Sequence, residues 1–298
     1  MPFAVLFPGQ GAQSRGMGAD LFDRYPGLTE FARDLLGYDL IALCRDDPDN
    51  VLSRTEYTQP ALFVVNALHF FERERREERR ADCYLGHSLG EYNALLAAGA
   101  FDFETGLRLV KKRGELMAAA SGGGMTAVLD LPVEKLLDVF RQDGVEAVDL
   151  AGLNTDTQTV IAGPAEALRT AHAALARRGV RFVPLRVGGP FHSRYMDPAR
   201  IEFEKYLKTF AFGELHTPVI ANATGLPYRE SEIVRTLCDQ LVQPVRWSDS
   251  VRFLLDGGSP LECEEIGGRS LLKMVCQISD ARDRETDPTA GRGERGIR

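Results

Sequence analysis

The chain has 298 residues, 44% of them hydrophobic and 27% charged, a composition that suits a globular enzyme of one large or two modest domains. Its formal net charge of −7 argues against nucleic acid, which asks for a basic face. No apolar run approaches the roughly 18–20 residues of a membrane span, and the opening Met1-Pro2-Phe3-Ala4 lacks a charged segment ahead of an apolar core. The five cysteines (Cys44, Cys83, Cys238, Cys263 and Cys276) are scattered and form no Cys-x-x-Cys pair. Reduced thiols in a cytoplasm are expected, with no zinc site, disulfide frame or membrane anchor.

An apolar strand over Phe3–Phe7 opens the chain and runs into Pro8-Gly9-Gln10-Gly11-Ala12-Gln13. Helical periodicity follows around Leu28–Leu36 and again through Pro60–Phe71. The second helix ends in a run of mixed charge from Glu72 to Arg80, which reads as a solvated helix end. A short apolar run, Cys83-Tyr84-Leu85, leads into Gly86-His87-Ser88-Leu89-Gly90-Glu91-Tyr92 and then a helical stretch, Ala94-Leu95-Leu96-Ala97-Ala98. A helix from about Glu104 to Ala120 stops at Gly122-Gly123-Gly124, which reads as a hinge or linker.

Beyond that point the units shorten. A strand near Thr126–Leu129, a helix over Val133–Gln142 and strands near Ala147–Leu150 and Thr159–Ala162 precede a helix over Ala165–Arg178 and a strand over Arg181–Arg186. Strand-helix-strand-strand-helix-strand is the order of a ferredoxin-like split βαβ unit. The expected fold class is therefore α/β: a large α/β-hydrolase-like domain with a parallel sheet and a nucleophile elbow, plus an inserted small ferredoxin-like subdomain. Residues 1–124 and 188–279 would form the large domain, 125–187 the subdomain, and 280–298, charged and rich in Gly and Pro, a disordered tail.

Gly-x-Ser-x-Gly recurs by chance in many chains, but here a strand precedes it and a helix follows it, as a nucleophile elbow requires. The turn leaves almost no room for side chains at Gly86 and Gly90, and it holds the Ser88 hydroxyl at a strand tip facing the next helix's first N–H groups. A serine hydroxyl needs a base to attack near pH 7. Of the five histidines, His69 and His172 lie within amphipathic helices and read as structural. His216 sits in a loop leading to a strand, and His87 diverges from its neighbour on a tight elbow. His192 lies in Gly188-Gly189-Pro190-Phe191-His192-Ser193, where the chain returns from the inserted unit, and loops at such junctions commonly carry active-site groups.

Arg113 stands out by helical geometry. At about 100° per residue, Leu109, Val110, Gly114, Leu116 and Met117 fill one half of the helix surface, and Arg108, Lys111, Lys112 and Glu115 the other. Arg113 falls in the middle of the apolar arc, where a guanidinium is costly unless it meets an anion. It is either half of an internal salt bridge or a fork for a substrate carboxylate.

Together these segments resemble malonyl-CoA:acyl-carrier-protein transacylases and the related acyltransferases of polyketide synthesis, from about Phe3 to Met274. The resemblance is carried by Phe7-Pro8-Gly9-Gln10-Gly11, Thr58-Gln59-Pro60-Ala61, the elbow, Arg113-Gly114, Asn154, Val160-Ile161-Ala162-Gly163, Phe191-His192-Ser193 and Pro244-Val245-Arg246-Trp247. Gly86 through Met117 and Phe191 through Met196 look most like the discrete acyltransferases that load polyketide assembly lines in trans. The family usually has Gly-Pro where this chain reads Glu265-Ile266-Gly267-Gly268-Arg269, a departure read as local loop variation.

The resemblance implies ping-pong malonyl transfer from malonyl-CoA to the phosphopantetheine thiol of an acyl carrier protein, with no cofactor or metal. It implies Ser88 as nucleophile, His192 as base oriented by the Gln240 backbone carbonyl, and an oxyanion hole from the N–H groups of Gln10 and Leu89. Arg113 would clamp the malonyl carboxylate, and Phe191 matches the position associated with malonyl preference. An acidic carrier protein would ask for a local basic patch, for which Arg177, Arg178, Arg181, Arg186 and Lys205 are candidates, although a solvated charged face is the plainer reading of them. Two rivals stand beside transfer. An acyl hydrolase clearing carrier proteins would keep Ser88 and His192 without needing Arg113, and a non-catalytic docking subunit would need neither.

Overall fold

The computed structural model describes residues 1–76, 79–257 and 260–286. Among them, β1 (Phe3–Phe7) leads to three helices, α1 (Pro26–Leu36), α2 (Leu40–Arg45) and α3 (Thr55–Arg75). Next come β2 (Cys83–Gly86), α4 (Gly90–Ala97) and α5 (Phe103–Ala118). α3 starts a turn before the expected Pro60. That proline lies in the second turn of the helix, where its missing N–H frees only one carbonyl.

β1 and β2 are buried at every position, the pattern of strands covered on both faces. Their alternation divides two cores. Phe3, Val5, Phe7 and Tyr84 point into one, packed with α3, α4 and α5, while Ala4, Leu6, Cys83 and Leu85 point into the other with Trp247 and Val251.

A second set of strands follows: β3 (Gly123–Leu129), α6 (Val133–Asp143), β4 (Asp149–Thr155), β5 (Gln158–Pro164), α7 (Ala165–Arg177) and β6 (Phe182–Pro184). They form an antiparallel sheet in the order β4-β5-β3-β6, the strand order of a ferredoxin-like unit. Gly123 and Gly124 are not an open linker. They belong to β3 and pair with Pro164 and Gly163 of β5, and a Cβ on Gly123 would stand 2.6 Å from the Gly163 carbonyl oxygen. The free edge of β4 is taken up by the large domain: Leu153 N–H donates to Val245 O at 2.8 Å, and Val245 N–H to Ala151 O at 3.0 Å.

The chain then completes the first sheet through α8 (Asp197–Leu207), β7 (Val219–Ile220), α9 (Ile233–Val242), α10 (Trp247–Leu255), β8 (Glu262–Glu265) and α11 (Ser270–Thr286). That sheet is parallel throughout in the order β7-β2-β1-β8. The Glu265–Arg269 departure is a helix start: the Glu265 carboxylate accepts from Ser270 N at 3.1 Å and Leu272 N at 2.9 Å. The expectation of disorder from 280 onward is corrected as far as 286, because α11 continues through those residues, with Ile278 buried and Glu285 bonded to Arg252. Residues 287–298 lie outside the described part. Among the described residues, no helix is long and apolar enough to cross a membrane.

The elbow joins β2 to α4 by main-chain contact. A Cβ on Gly86 would stand 1.9 Å from the Gly90 carbonyl carbon, and one on Gly90 would stand 2.0 Å from the Phe7 carbonyl oxygen. Neither neighbour is a flexible side chain that could move away. Gly90→Ala is therefore expected to cost more than about 4 kcal/mol, the range of exceptional single substitutions, read as a collapsed urea midpoint or loss of soluble protein.

Candidate active site

The elbow places Ser88 at φ +52°, a left-handed conformation rare for a residue with a side chain. Main-chain bonds on both sides hold it there: His87 N–H donates to Phe7 O at 3.0 Å and Gly90 N–H to His87 O at 3.0 Å. Asn222, just after β7, grips the same turn. Its Oδ1 accepts from Ser88 N–H and its Nδ2 donates to Gly86 O, both at 2.7 Å.

His192 reaches Ser88 from the loop before α8, itself at φ +57°. Its Nε2 is 2.7 Å from Ser88 Oγ, and its Nδ1 is 2.7 Å from the Gln240 main-chain oxygen. A carbonyl can only accept, so Nδ1 carries the proton and Nε2 is left as the acceptor facing the hydroxyl. Burial, reinforced by the nearby Arg113 charge, pushes the His192 pKa down to about 3. The imidazole is therefore neutral across the physiological range.

Arg113 is fully buried, as its place in the apolar arc of α5 predicts. No carboxylate touches it among the described residues. Nη1 donates to Gln59 Oε1 at 2.7 Å, while Nη2 donates to Gln240 Oε1 at 2.9 Å and lies 3.2 Å from Ser88 Oγ. Nε has no partner. The Tyr92 ring lies beneath the guanidinium, its centroid 5.4 Å from Cζ.

These groups open onto a cavity of about 180 Å³, lined on the large-domain side by Gln10, Leu89 and Phe191, and on the other by Met125, Asn154 and Val160. The main-chain N–H groups of Gln10 and Leu89 have no acceptor among the described residues. The loop bearing Gln10 is pinned from α3, where Asn66 Nδ2 donates to Pro8 O at 3.0 Å. His87 turns away from Ser88 and pairs with Asn154 Oδ1 across the cavity at 3.0 Å.

Several groups at this site carry no role that local sequence assigns. Gln59 and Asn154 lie in segments that carry the family resemblance, but nothing local indicates what they contact. Glu91 stands in the elbow motif and is fully buried, with burial raising its carboxyl to about 7. Asn222 had no local signal at all, since it meets the elbow only through the sheet. The five candidates for a basic patch form the plainer alternative, a solvated charged face: Arg177 and Arg178 pair with Asp143, Arg181 with Asp130, and Lys205 with Glu202 at 2.7 Å, and among the described residues only Arg186 of the five has no acidic partner.

The acyl transferase domain family matches residues 5–277. The chain belongs to that family. A polyketide biosynthesis malonyl CoA-acyl carrier protein transacylase from Bacillus velezensis, BaeC, is 45% identical over 278 residues, covering 92% of this chain and 96% of the relative. The polyketide biosynthesis protein ThaF of Burkholderia thailandensis is 48% identical over 97% of this chain, which spans only 25% of that longer protein. A solved complex of a type II polyketide synthase acyl-carrier protein with its malonyl-transacylase superposes with a TM-score of 0.87 at 35% identity, covering 94% of each chain.

Two outcomes are expected from the site itself. Asn222→Ala leaves the Ser88 N–H and the Gly86 carbonyl without partners and should lower stability by about 3 kcal/mol in urea unfolding, since each stranded buried group costs roughly 1–3 kcal/mol. The low His192 pKa predicts that acylation of Ser88 by a neutral active ester stays level from about pH 8 down to about pH 5, where an ordinary imidazole would already be mostly protonated. Stopped-flow acylation across that range checks it.

Proposed function

We propose that this chain moves malonyl groups from malonyl-CoA to the phosphopantetheine thiol of an acyl carrier protein, supplying a polyketide synthase in trans. The observation that carries this reading is Arg113: a buried cation held by neutral oxygens, with an unpartnered Nε–H and a second nitrogen 3.2 Å from Ser88 Oγ. A site for neutral acyl groups has no use for such a charge, whereas a malonyl ester on Ser88 brings a carboxylate to it. The activity named for BaeC and the partner named in the solved complex support the same reading.

In the first half-reaction Ser88 Oγ attacks the thioester carbonyl as His192 Nε2 takes its proton. The N–H groups of Gln10 and Leu89 receive the oxyanion. The tetrahedral intermediate collapses, the C–S bond breaks, and coenzyme A leaves as a thiol with the proton from Nε2. In the second half the carrier thiol gives its proton to His192 and attacks the malonyl ester. The bond between the malonyl carbonyl carbon and Ser88 Oγ then breaks, and the proton returns from His192 Nε2 to Oγ. The Gln240 carbonyl holds the ring but supplies no negative charge, so the imidazolium is weakly stabilised and readily passes its proton on. Phe191 walls the cavity beside the base and restricts extender units branched at the α-carbon. The base, the nucleophile and the oxyanion donors of these steps are all residues of this chain, the thiols come from coenzyme A and the carrier protein, and the proposal includes no resident cofactor. The free cysteines fit a cytoplasmic setting.

Intact-protein mass spectrometry after brief incubation with malonyl-CoA or acetyl-CoA tests the reading. A malonyl adduct on Ser88, discharged by a phosphopantetheinylated carrier protein and absent in Ser88→Ala, is expected. Arg113→Ala should cut malonyl loading about thirty-fold or more, since truncating one partner of a buried charge pair costs roughly 2–5 kcal/mol. Loading by acetyl or longer neutral groups that are lost to water, with no malonyl adduct, would identify a hydrolase instead.

A further inference from the structure

Glu91 lies on α4, three residues after Ser88, and is fully buried, yet none of the transfer steps uses its carboxylate. Three donors converge on it: Tyr228 O–H and Gln240 Nε2–H through short hydrogen bonds, and Asn222 N–H at 3.3 Å. Only an acceptor-only group satisfies all three. An amide at this position would have to turn its own N–H toward at least one of them.

The Gln240 amide sits between two charges. Its Oε1 accepts from Arg113 Nη2 at 2.9 Å, and its Nε2 donates to Glu91 and to the Ser88 main-chain oxygen. Turning the amide over would set its NH2 against the guanidinium and its oxygen against the carboxylate, so the two charges lock it in one orientation. The same residue's main-chain oxygen holds His192.

We propose that Glu91 is a positioning residue for malonyl selection: its ionised carboxylate locks the Gln240 amide in the orientation that holds Arg113 beside Ser88. This rests on the reading of Arg113 as the group that receives the malonyl carboxylate. Glu91 acts through Gln240 and touches no substrate.

Ionisation then matters, and Glu91 is the site group that titrates near neutrality. Burial raises it to about 7 against its three hydrogen bonds and the Arg113 charge, all of which lower it. The other titratable groups around it are displaced from that range. His192 is pushed down to about 3, burial also lowers His87, Cys238 is pushed up to about 12, and burial drives Tyr92 and Tyr228 above the usual phenol range. Arg113 stays cationic. A carboxyl with a raised pKa is ionised above that value, so malonyl preference is full above about pH 7 and declines as pH falls through it.

The test compares Ser88 loading by malonyl-CoA and acetyl-CoA in rapid-quench mass spectrometry, for the wild type, Glu91→Gln and Tyr228→Phe, with thermal melts confirming folding. In Glu91→Gln the malonyl-to-acetyl ratio should fall roughly ten-fold, the scale of one lost hydrogen bond to a charged group. Tyr228→Phe should shift it in the same direction by less. The wild-type ratio should decline with an apparent pKa near 7, and that limb should vanish in Glu91→Gln. A folded Glu91→Gln with the wild-type ratio overturns the proposal. If that variant does not fold, a wild-type ratio that is flat with pH together with an unchanged ratio in Tyr228→Phe overturns it. A wild type that takes no malonyl group at all overturns the transferase reading beneath it, which is a different result from either.

Discussion

The structure depends on keeping one guanidinium in the core with no carboxylate in contact among the described residues. Desolvating Arg113 is expensive, and direct pairing with an acid would offset that cost while occupying the donors. The fold solves this with neutral oxygens. Gln59 from α3 and Gln240 from α9 each accept from one terminal nitrogen, the Tyr92 ring from α4 lies beneath, and the Glu91 charge acts from one amide away. Three helices packed on one face of the parallel sheet therefore converge on a side chain of a fourth, α5. The cation is stabilised enough to be buried and left free enough to receive an anion.

The proposed base follows the same economy of charge. His192 takes its orientation from a main-chain carbonyl where many serine enzymes use a carboxylate. A carboxylate there would stabilise the imidazolium and would also cancel part of the Arg113 field. A carbonyl sets the tautomer without doing either. Gln240 thus touches both His192 and Arg113, the first through its backbone oxygen and the second through its side chain.

The cavity belongs to both sheets. Its floor is the elbow and the Gln10 loop, and its opposite wall comes from β3, β4 and β5. The second sheet is seated by main-chain bonds between β4 and Val245, and by Arg252 bonding Asp156 at 2.9 Å. The pairing of His87 with Asn154 spans the same gap, which ties the residue before the nucleophile to the facing wall. Positioning of the second sheet is therefore part of the site's geometry.

Where short-range sterics decide the outcome, the sequence alone was sufficient. The elbow could be read from Gly86 and Gly90 because only glycine permits such backbone approach. The strand-helix order of the second unit gave its topology, and the burial of Arg113 followed from helical period. Helix ends were less legible: the charged composition of residues 280–286 concealed the last seven residues of α11, about two turns, that tertiary contacts sustain. The polar network was not legible in any local pattern, and only the contact of the Gln240 carbonyl with His192 was expected, from the family resemblance. Asn222 meets Ser88 across 134 positions of sequence and Gln240 meets Glu91 across 149, so no local pattern records either contact. The sequence determined which side chains could do chemistry. Only the packing of α3, α4, α5 and α9 decided which of them touch, because a buried donor or acceptor takes whatever partner the fold brings within about 3 Å.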